Sequence, residues 1–123
     1  DRGVEVDAEY YMMRGQPLYR AALRTLPRVI DGTLEDAAWS RDDIDLIVIH
    51  QPNARLLELA SKHLRLDLDK MPRPGKWLGN MGPASLLVNL SLARDEGRLE
   101  PGTRVLLLAF GLGFSCGAVA LEV

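Results

Sequence analysis

The chain has 123 residues, 47 % of them hydrophobic and 26 % charged, with a formal net charge of -2. These values describe one ordinary globular domain and exclude disordered, collagenous and strongly basic nucleic-acid-binding classes. A chain of this size buries roughly two-thirds of its unfolded surface, enough for one core with little margin for an exposed apolar face.

The amino-terminal stretch DRGVEVDAEYYMM is acidic and lacks the basic start and apolar core of a secretory signal. It reads as the interior of something longer. From Gln16 to Trp39, the residues Leu18, Ala22, Leu26, Val29, Ile30, Leu34 and Ala37 recur at helical intervals and predict an amphipathic helix, which Pro27 is expected to kink or divide. Ile44 to His50, IDLIVIH, is a nearly continuous β-branched run, the pattern of a strand covered on both faces. Pro52 marks the first turn of the next helix, Asn53 to Leu64, with Leu56, Leu57, Leu59, Ala60 and Leu64 inward. Arg55, Glu58, Lys62 and Arg65 face outward, and Glu58 is spaced to pair with Lys62.

Leu66 to Gly79 contains two prolines and Gly75 and reads as loop, with a short strand near Leu68. Gly82 and Pro83 open a further helix with Leu86, Leu87, Leu90 and Ala93 as its buried stripe and Gly97 as its stop. After a Pro101-Gly102 turn, Thr103 to Phe110 and Ala118 to Val123 are strands separated by GLGFSCG. The apolar stretch from Val105 to Leu121 is thus a strand pair around a glycine turn, too short and too glycine-rich for a membrane span of roughly 20 residues. Helices alternating with strands predict a single α/β domain over residues 1–123, with a mostly parallel mixed sheet, helices packed on it and a carboxyl-terminal strand pair. A single cysteine, Cys116, excludes an intramolecular disulfide framework, and the two histidines form no zinc-ligand spacing. No resident metal or cofactor, no membrane and a reducing, cytoplasmic setting are expected.

Ligands of open α/β sheets gather beyond the carboxyl ends of strands, where His50 stands immediately before a helix, followed by Gln51, Asn53 and Arg55. A satisfied structural histidine and ordinary helix-capping residues fit the same positions. In Gly79-Asn80-Met81-Gly82-Pro83-Ala84-Ser85, flanking glycines let the backbone turn tightly and bring Asn80 close to a ligand. The Gly111 to Gly117 segment is no dinucleotide loop, because Cys116 takes the place of the third glycine and six residues leave no room for a helix. Its backbone amides suit a developing oxyanion or simply form a hairpin turn.

HQPNAR at a strand end, the Gly79-Asn80 pair with Ala84-Ser85 at a helix start, and PGTRVLLLAFGLGFSCGAVAL together resemble the carboxyl-terminal half of 3-oxoacyl-acyl-carrier-protein synthase III, a thiolase-fold condensing enzyme. The resemblance runs from about Met13-Arg14-Gly15 through LPRVIDGTL and IDLIVIHQPNARLLELASKHL to Val123. It implies a two-half enzyme in which a cysteine of the amino-terminal half is acylated from an acyl-CoA and then condensed with malonyl-acyl carrier protein. His50 and Asn80 match the catalytic histidine and asparagine, donors to the enolate formed by decarboxylation. A neutral His50 would serve, kept neutral by the positive end of the following helix. Arg55 matches an arginine implicated in docking the acidic carrier protein. Gly111, Leu112 and Gly113 match the tail loop that completes the acyl oxyanion hole. The implied partners are acyl carrier protein, acyl-CoA, the chain's own amino-terminal half and, for the intact enzyme, a second copy in a homodimer.

The chain departs from that pattern at Met81, where the family commonly has a hydroxyl residue, at Leu112, where it has glycine, and at Cys116, where it often has an aromatic residue. Cys116 reads as a buried, inert thiol. No position matches the nucleophilic cysteine, so these residues are expected to be inactive alone and to self-associate or dissolve poorly because the face meant for the absent half is exposed. The alternatives are a relative that transfers acyl groups to oxygen or nitrogen without condensation, and a noncatalytic half-domain that binds carrier protein.

Overall fold

The computed structural model describes residues 15–111 and 113–123; the acidic amino-terminal stretch and Leu112 lie outside the described residues. Helix α1, Gly15–Asp36, buries Ala22, Leu26, Ile30 and Leu34, the stripe its periodicity predicts. Pro27 sits inside α1 without dividing it. The proline removes one backbone donor, and continuous burial on either side of it, at Leu26 and Ile30, holds the helix through that gap.

Strand β1, Leu46–Ile49, is shorter than the apolar run predicted and fully buried along its length. Single hydrogen bonds extend its pairing at both ends, from the Asp45 N–H to the Arg104 carbonyl and from the His50 N–H to the Leu108 carbonyl. Helix α2, Ala54–Leu64, starts one residue later than the Asn53 start expected. Asn53 is its cap, accepting the Leu56 N–H at 2.9 Å through Oδ1, and Pro52 precedes that cap. Leu57, Ala60, Ser61 and Leu64 define the buried face of α2. Leu59, expected inside, is 48 % exposed. Two residues along a helix turn about 200° from Leu57, which carries Leu59 to the opposite side. Arg55, Glu58, Lys62 and Arg65 are exposed as predicted, but Glu58 and Lys62 are not among the ion pairs formed by the described residues. A solvated pair of this kind gains too little to fix two long side chains.

The predicted strand near Leu68 is instead a 3-10 turn, Leu68–Lys70, held by Asp67, whose side chain accepts the Asp69 N–H. A four-residue helix, α3, covers Gly75–Leu78. A second 3-10 turn, Gly82–Ala84, leads into helix α4, Ser85–Asp95. Gly97 stops α4 in the left-handed region at φ 70°, with the Arg98 N–H returning to the Ala93 carbonyl.

Strands β2, Arg104–Gly111, and β3, Ser115–Glu122, form the expected carboxyl-terminal pair, and β3 starts three residues earlier than predicted. The mixed sheet has the order β1-β2-β3, with β1 parallel to β2 and β2 antiparallel to β3. Alternation along β1 separates two cores. Ile47 and Ile49 join Leu106 and Leu108 beneath α1 and α2, whereas Leu46 and Val48 join Val105 and Ala93 beneath α4. The β-branched run is continuous because both faces of β1 are covered. Cys116 is free and only half-buried at the margin of the larger core, not fully buried as expected.

Candidate active site

At the carboxyl end of β1 the buried apolar run ends and the chain turns polar at His50 and Gln51. His50 follows the last strand residue, and its ring stands edge-on to Phe110 of β2 with centroids 5.4 Å apart. Each neighbour of His50 in the chain is tied by a buried amide side chain. Asn89 of α4 donates through Nδ2 to the Ile49 carbonyl at 3.2 Å. Gln51 donates through Nε2 to the Pro72 carbonyl at 2.6 Å and accepts the Gly75 N–H at 3.2 Å. Gln51 is 1 % exposed and Asn89 0 %.

The ring itself is held by Ser85 at the start of α4. His50 Nδ1 lies 2.8 Å from Ser85 Oγ, and that hydroxyl donates to the Gly82 carbonyl at 2.7 Å. Burial holds the His50 pKa below its ordinary value of 6.5, opposed by a hydrogen bond to the Gly82 backbone. The ring is therefore neutral near neutral pH. Desolvation favours that neutral form.

Asn80 reaches the same region from the turn between α3 and α4. Gly79 and Gly82 both adopt positive φ, 69° and 55°, a conformation that strains side-chain-bearing residues. Their turn lets Asn80 Oδ1 accept the Gly82 N–H at 2.9 Å. With its oxygen committed to the backbone, Asn80 has its Nδ2 donors left for a ligand.

His50 and Asn80 line one cavity of about 740 Å³, walled mostly by apolar side chains that include Leu18, Leu56, Leu86 and Phe110. Gly111 lines it as well. Gly113, the other described member of the tail loop, is exposed at φ 127° and outside that lining; Leu112 lies outside the described residues. Arg55 is on the exposed face of α2 and does not line the cavity. The sequence thus brings His50, Asn80 and Gly111 together, with Arg55 apart from them. Among the described residues, no group of three His, Cys, Asp or Glu side chains is disposed to hold a metal, and no helix is long and apolar enough to cross a membrane.

Sequence reasoning missed the supporting shell. The face that α4 turns to the sheet is Ser85, Asn89 and Ala93; of the expected stripe only Ala93 is fully buried, Leu86 and Leu90 are half-buried at its sides and Leu87 is 73 % exposed. Small and polar residues on that face allow close approach and carry hydrogen bonds, duties that a search for apolar periodicity does not detect. The available signal was the four-residue spacing of Ser85 and Asn89, one turn apart on a helix that begins beside a candidate ligand-binding turn.

Residues 34–123 match the family described as 3-oxoacyl-[acyl-carrier-protein (ACP)] synthase III C terminal. A beta-ketoacyl-[acyl-carrier-protein] synthase III of Oceanobacillus iheyensis is 36% identical over 114 residues, covering 93% of this chain and 36% of that protein. Beta-ketoacyl-[acyl-carrier-protein] synthase III 5 of Streptomyces coelicolor is 38% identical over 112 residues, covering 91% and 34%. The crystal structure of 3-oxoacyl-[acyl-carrier-protein] synthase III from Aquifex aeolicus superposes with a TM-score of 0.87 at 29% identity, covering 96% of this chain and 38% of that one. The chain spans little more than a third of the length of the curated relatives it matches.

Proposed function

This chain belongs to the carboxyl-terminal family of 3-oxoacyl-[acyl-carrier-protein] synthase III, and from that membership we propose that it supplies two of the three catalytic side chains of a ketosynthase III-type acyltransferase. The reaction is a decarboxylative Claisen condensation. An acyl group from an acyl-CoA is carried on a cysteine of the amino-terminal half and joined to a malonyl group on acyl carrier protein. Alone, the chain lacks that nucleophile and is inactive in condensation.

The observation that carries this reading is the convergence of His50 and Asn80 on one largely apolar cavity, each anchored through one polar atom and left with another for a ligand. Loss of carbon dioxide from a malonyl thioester places a negative charge on the thioester oxygen. Two fixed polar groups in a low-dielectric site stabilise that enolate without reorganising. Gly111, at the cavity rim with Leu112 and Gly113 after it in the chain, is assigned to the tail loop that receives the acyl carbonyl oxygen. The exposed Arg55 on the outer face of α2 is assigned to acyl carrier protein, an acidic partner that a local basic face attracts despite the net charge of -2. The intact enzyme is proposed to work as a soluble cytoplasmic homodimer with no resident cofactor.

The test is His50→Ala and Asn80→Ala in the intact two-half protein, measured as malonyl-thioester decarboxylation. Each is expected to lower the rate about 10²–10³-fold, the typical effect of losing one oxyanion donor. Unchanged turnover in either variant refutes the role assigned to that residue.

A further inference from the structure

Helix α1 carries its cations toward one end and its acids toward the other. Arg20, Arg24 and Arg28 are exposed and stand four residues apart, so they form a row on one face that advances about 6 Å with each arginine. Asp31 and Glu35, also exposed, follow Arg24 by seven and eleven residues and continue that face toward the end of the helix. Helix stability does not account for this order. Arginines one turn apart repel, and the helix dipole favours acids in the first turn and bases in the last, where α1 has neither. Among the described residues, none of the three arginines is in an ion pair, and Arg24 and Arg28 flank a shallow groove with Thr25 and Val29. Asp31 is already paired, with Arg41.

The row starts at the cavity. Leu18 and Tyr19, immediately before Arg20, line it, as does Leu56, immediately after Arg55 on the neighbouring helix α2. Arg28 lies about 12 Å farther along α1 than Arg20. A second copy of α1 laid antiparallel would set Arg20 against Glu35 and Arg24 against Asp31, but one polar helix face falls short of the roughly 1,000 Å² that a stable interface buries. A long polyanion is disfavoured by the acids that end the row. An acidic helix on a transiently docking protein fits, because its carboxylates one turn apart meet guanidiniums one turn apart. We propose that Arg24 and Arg28, continuing from Arg20, receive an acidic helix of acyl carrier protein, and that Asp31 and Glu35 repel it from the far end of α1. The carrier is thereby held in the register from which its acyl arm reaches the cavity. The proposal rests on the functional reading above and adds a second helix to the contact assigned to Arg55.

The test uses the intact two-half protein. Binding of acyl carrier protein is measured by calorimetry, and turnover separately with malonyl-acyl carrier protein and with malonyl-pantetheine, which has the arm without the protein. Replacing both Arg24 and Arg28 by alanine is expected to weaken carrier binding about tenfold at low salt, the scale of two exposed ion pairs. The difference should vanish near 1 M salt, where the Debye length is about 3 Å. KM for malonyl-acyl carrier protein rises in step, and turnover of malonyl-pantetheine is unchanged. Arg94→Ala, on α4 beside Asp95, is the control and leaves carrier binding as it was. Glu35→Arg lengthens the row and is expected to tighten carrier binding about two- to threefold, the scale of one exposed ion pair. It lowers kcat and KM for malonyl-acyl carrier protein by that same factor, the signature of binding in an unproductive register. Unchanged carrier binding in the double arginine variant overturns the proposal, as does an equal loss with malonyl-pantetheine; tighter binding by Glu35→Arg at undiminished kcat overturns the register. Because binding is read without turnover, failure of the condensation reading leaves the docking result standing, and a condensing enzyme whose carrier affinity ignores Arg24 and Arg28 defeats only this proposal.

Discussion

Replacing Gln51 by leucine tests whether the two halves of the site are held in register by one buried amide. Leucine keeps similar bulk and removes two hydrogen bonds, from Gln51 Nε2 to the Pro72 carbonyl at 2.6 Å and from the Gly75 N–H to Oε1 at 3.2 Å. Pro72 is buried and Gly75 half-buried, so the orphaned carbonyl is expected to cost toward the upper part, and the orphaned N–H toward the lower part, of about 1–3 kcal/mol each. The sum is a loss of about 3–5 kcal/mol. Urea denaturation at unchanged m-value measures it. Gly75→Ala gives an independent check, because an added Cβ would lie 3.0 Å from Gln51 Oε1 and 3.3 Å from its Cβ. That substitution should cost more in the wild type than in a Gln51→Ala background, where the closer contact is gone. A loss below about 0.5 kcal/mol for Gln51→Leu, the range of ordinary surface changes, refutes the reasoning. Equal costs for Gly75→Ala in both backgrounds refute it as well.

The depressed pKa of His50 ties stability to pH. As pH falls below the ordinary value of 6.5, the unfolded chain takes up a proton that the buried ring refuses. Stability is therefore expected to fall from that point until pH passes the folded-state pKa, and to be insensitive to this group at higher pH. His50→Gln should remove that part of the slope, read from urea midpoints between about pH 8 and about pH 5; an identical slope in the variant contradicts the assignment. Arg55→Glu in the intact protein should weaken use of acyl carrier protein, most at low salt, while leaving acylation by acyl-CoA nearly unchanged. Equal loss of both steps would instead indicate misfolding. Ile47→Ala, at a site 1 % exposed, should cost about 2–5 kcal/mol, whereas Val119→Ala, 54 % exposed, should stay within about 0.5 kcal/mol; comparable thermal shifts for the two would contradict the placement of the core.

Elements whose burial is periodic were legible in the sequence. The stripe Ala22, Leu26, Ile30 and Leu34 of α1 and the doubly covered run of β1 lie where apolar patterning puts them. The carboxyl-terminal strand pair does too, its start displaced because Ser115, Cys116 and Gly117 pair across the ladder without being strong strand formers. His50 at a strand end and Asn80 in a glycine-flanked turn carry signals that ordinary structural residues share, and their catalytic reading comes from the resemblance to synthase III; the structure brings both to one cavity. What stayed hidden were contacts whose partners lie far apart in the chain, such as Gln51 with Pro72 and Asn89 with Ile49. The leucines of α4 misled for a related reason. Apolar residues mark a face that seeks burial, but Ser85 and Asn89 took the inner face by satisfying backbone and imidazole groups that leucine would strand.

The parallel pairing of β1 with β2 bears on how this site comes into being as the chain folds. Asp45 and Arg104, which hydrogen-bond at the start of the two strands, are 59 residues apart, and His50, Gln51, Asn80, Ser85 and Asn89 all lie in the segment between. Closing so long a loop costs chain entropy before any contact repays it, so this pairing forms slowly relative to the local β2–β3 hairpin and the helices. An intermediate holding only those local elements would show nearly native helix content while His50 and its anchors remained scattered along an open loop. Site geometry is thus a late product of folding. The ring environment of His50, through its edge-on contact with Phe110, reports whether the last long-range closure has occurred.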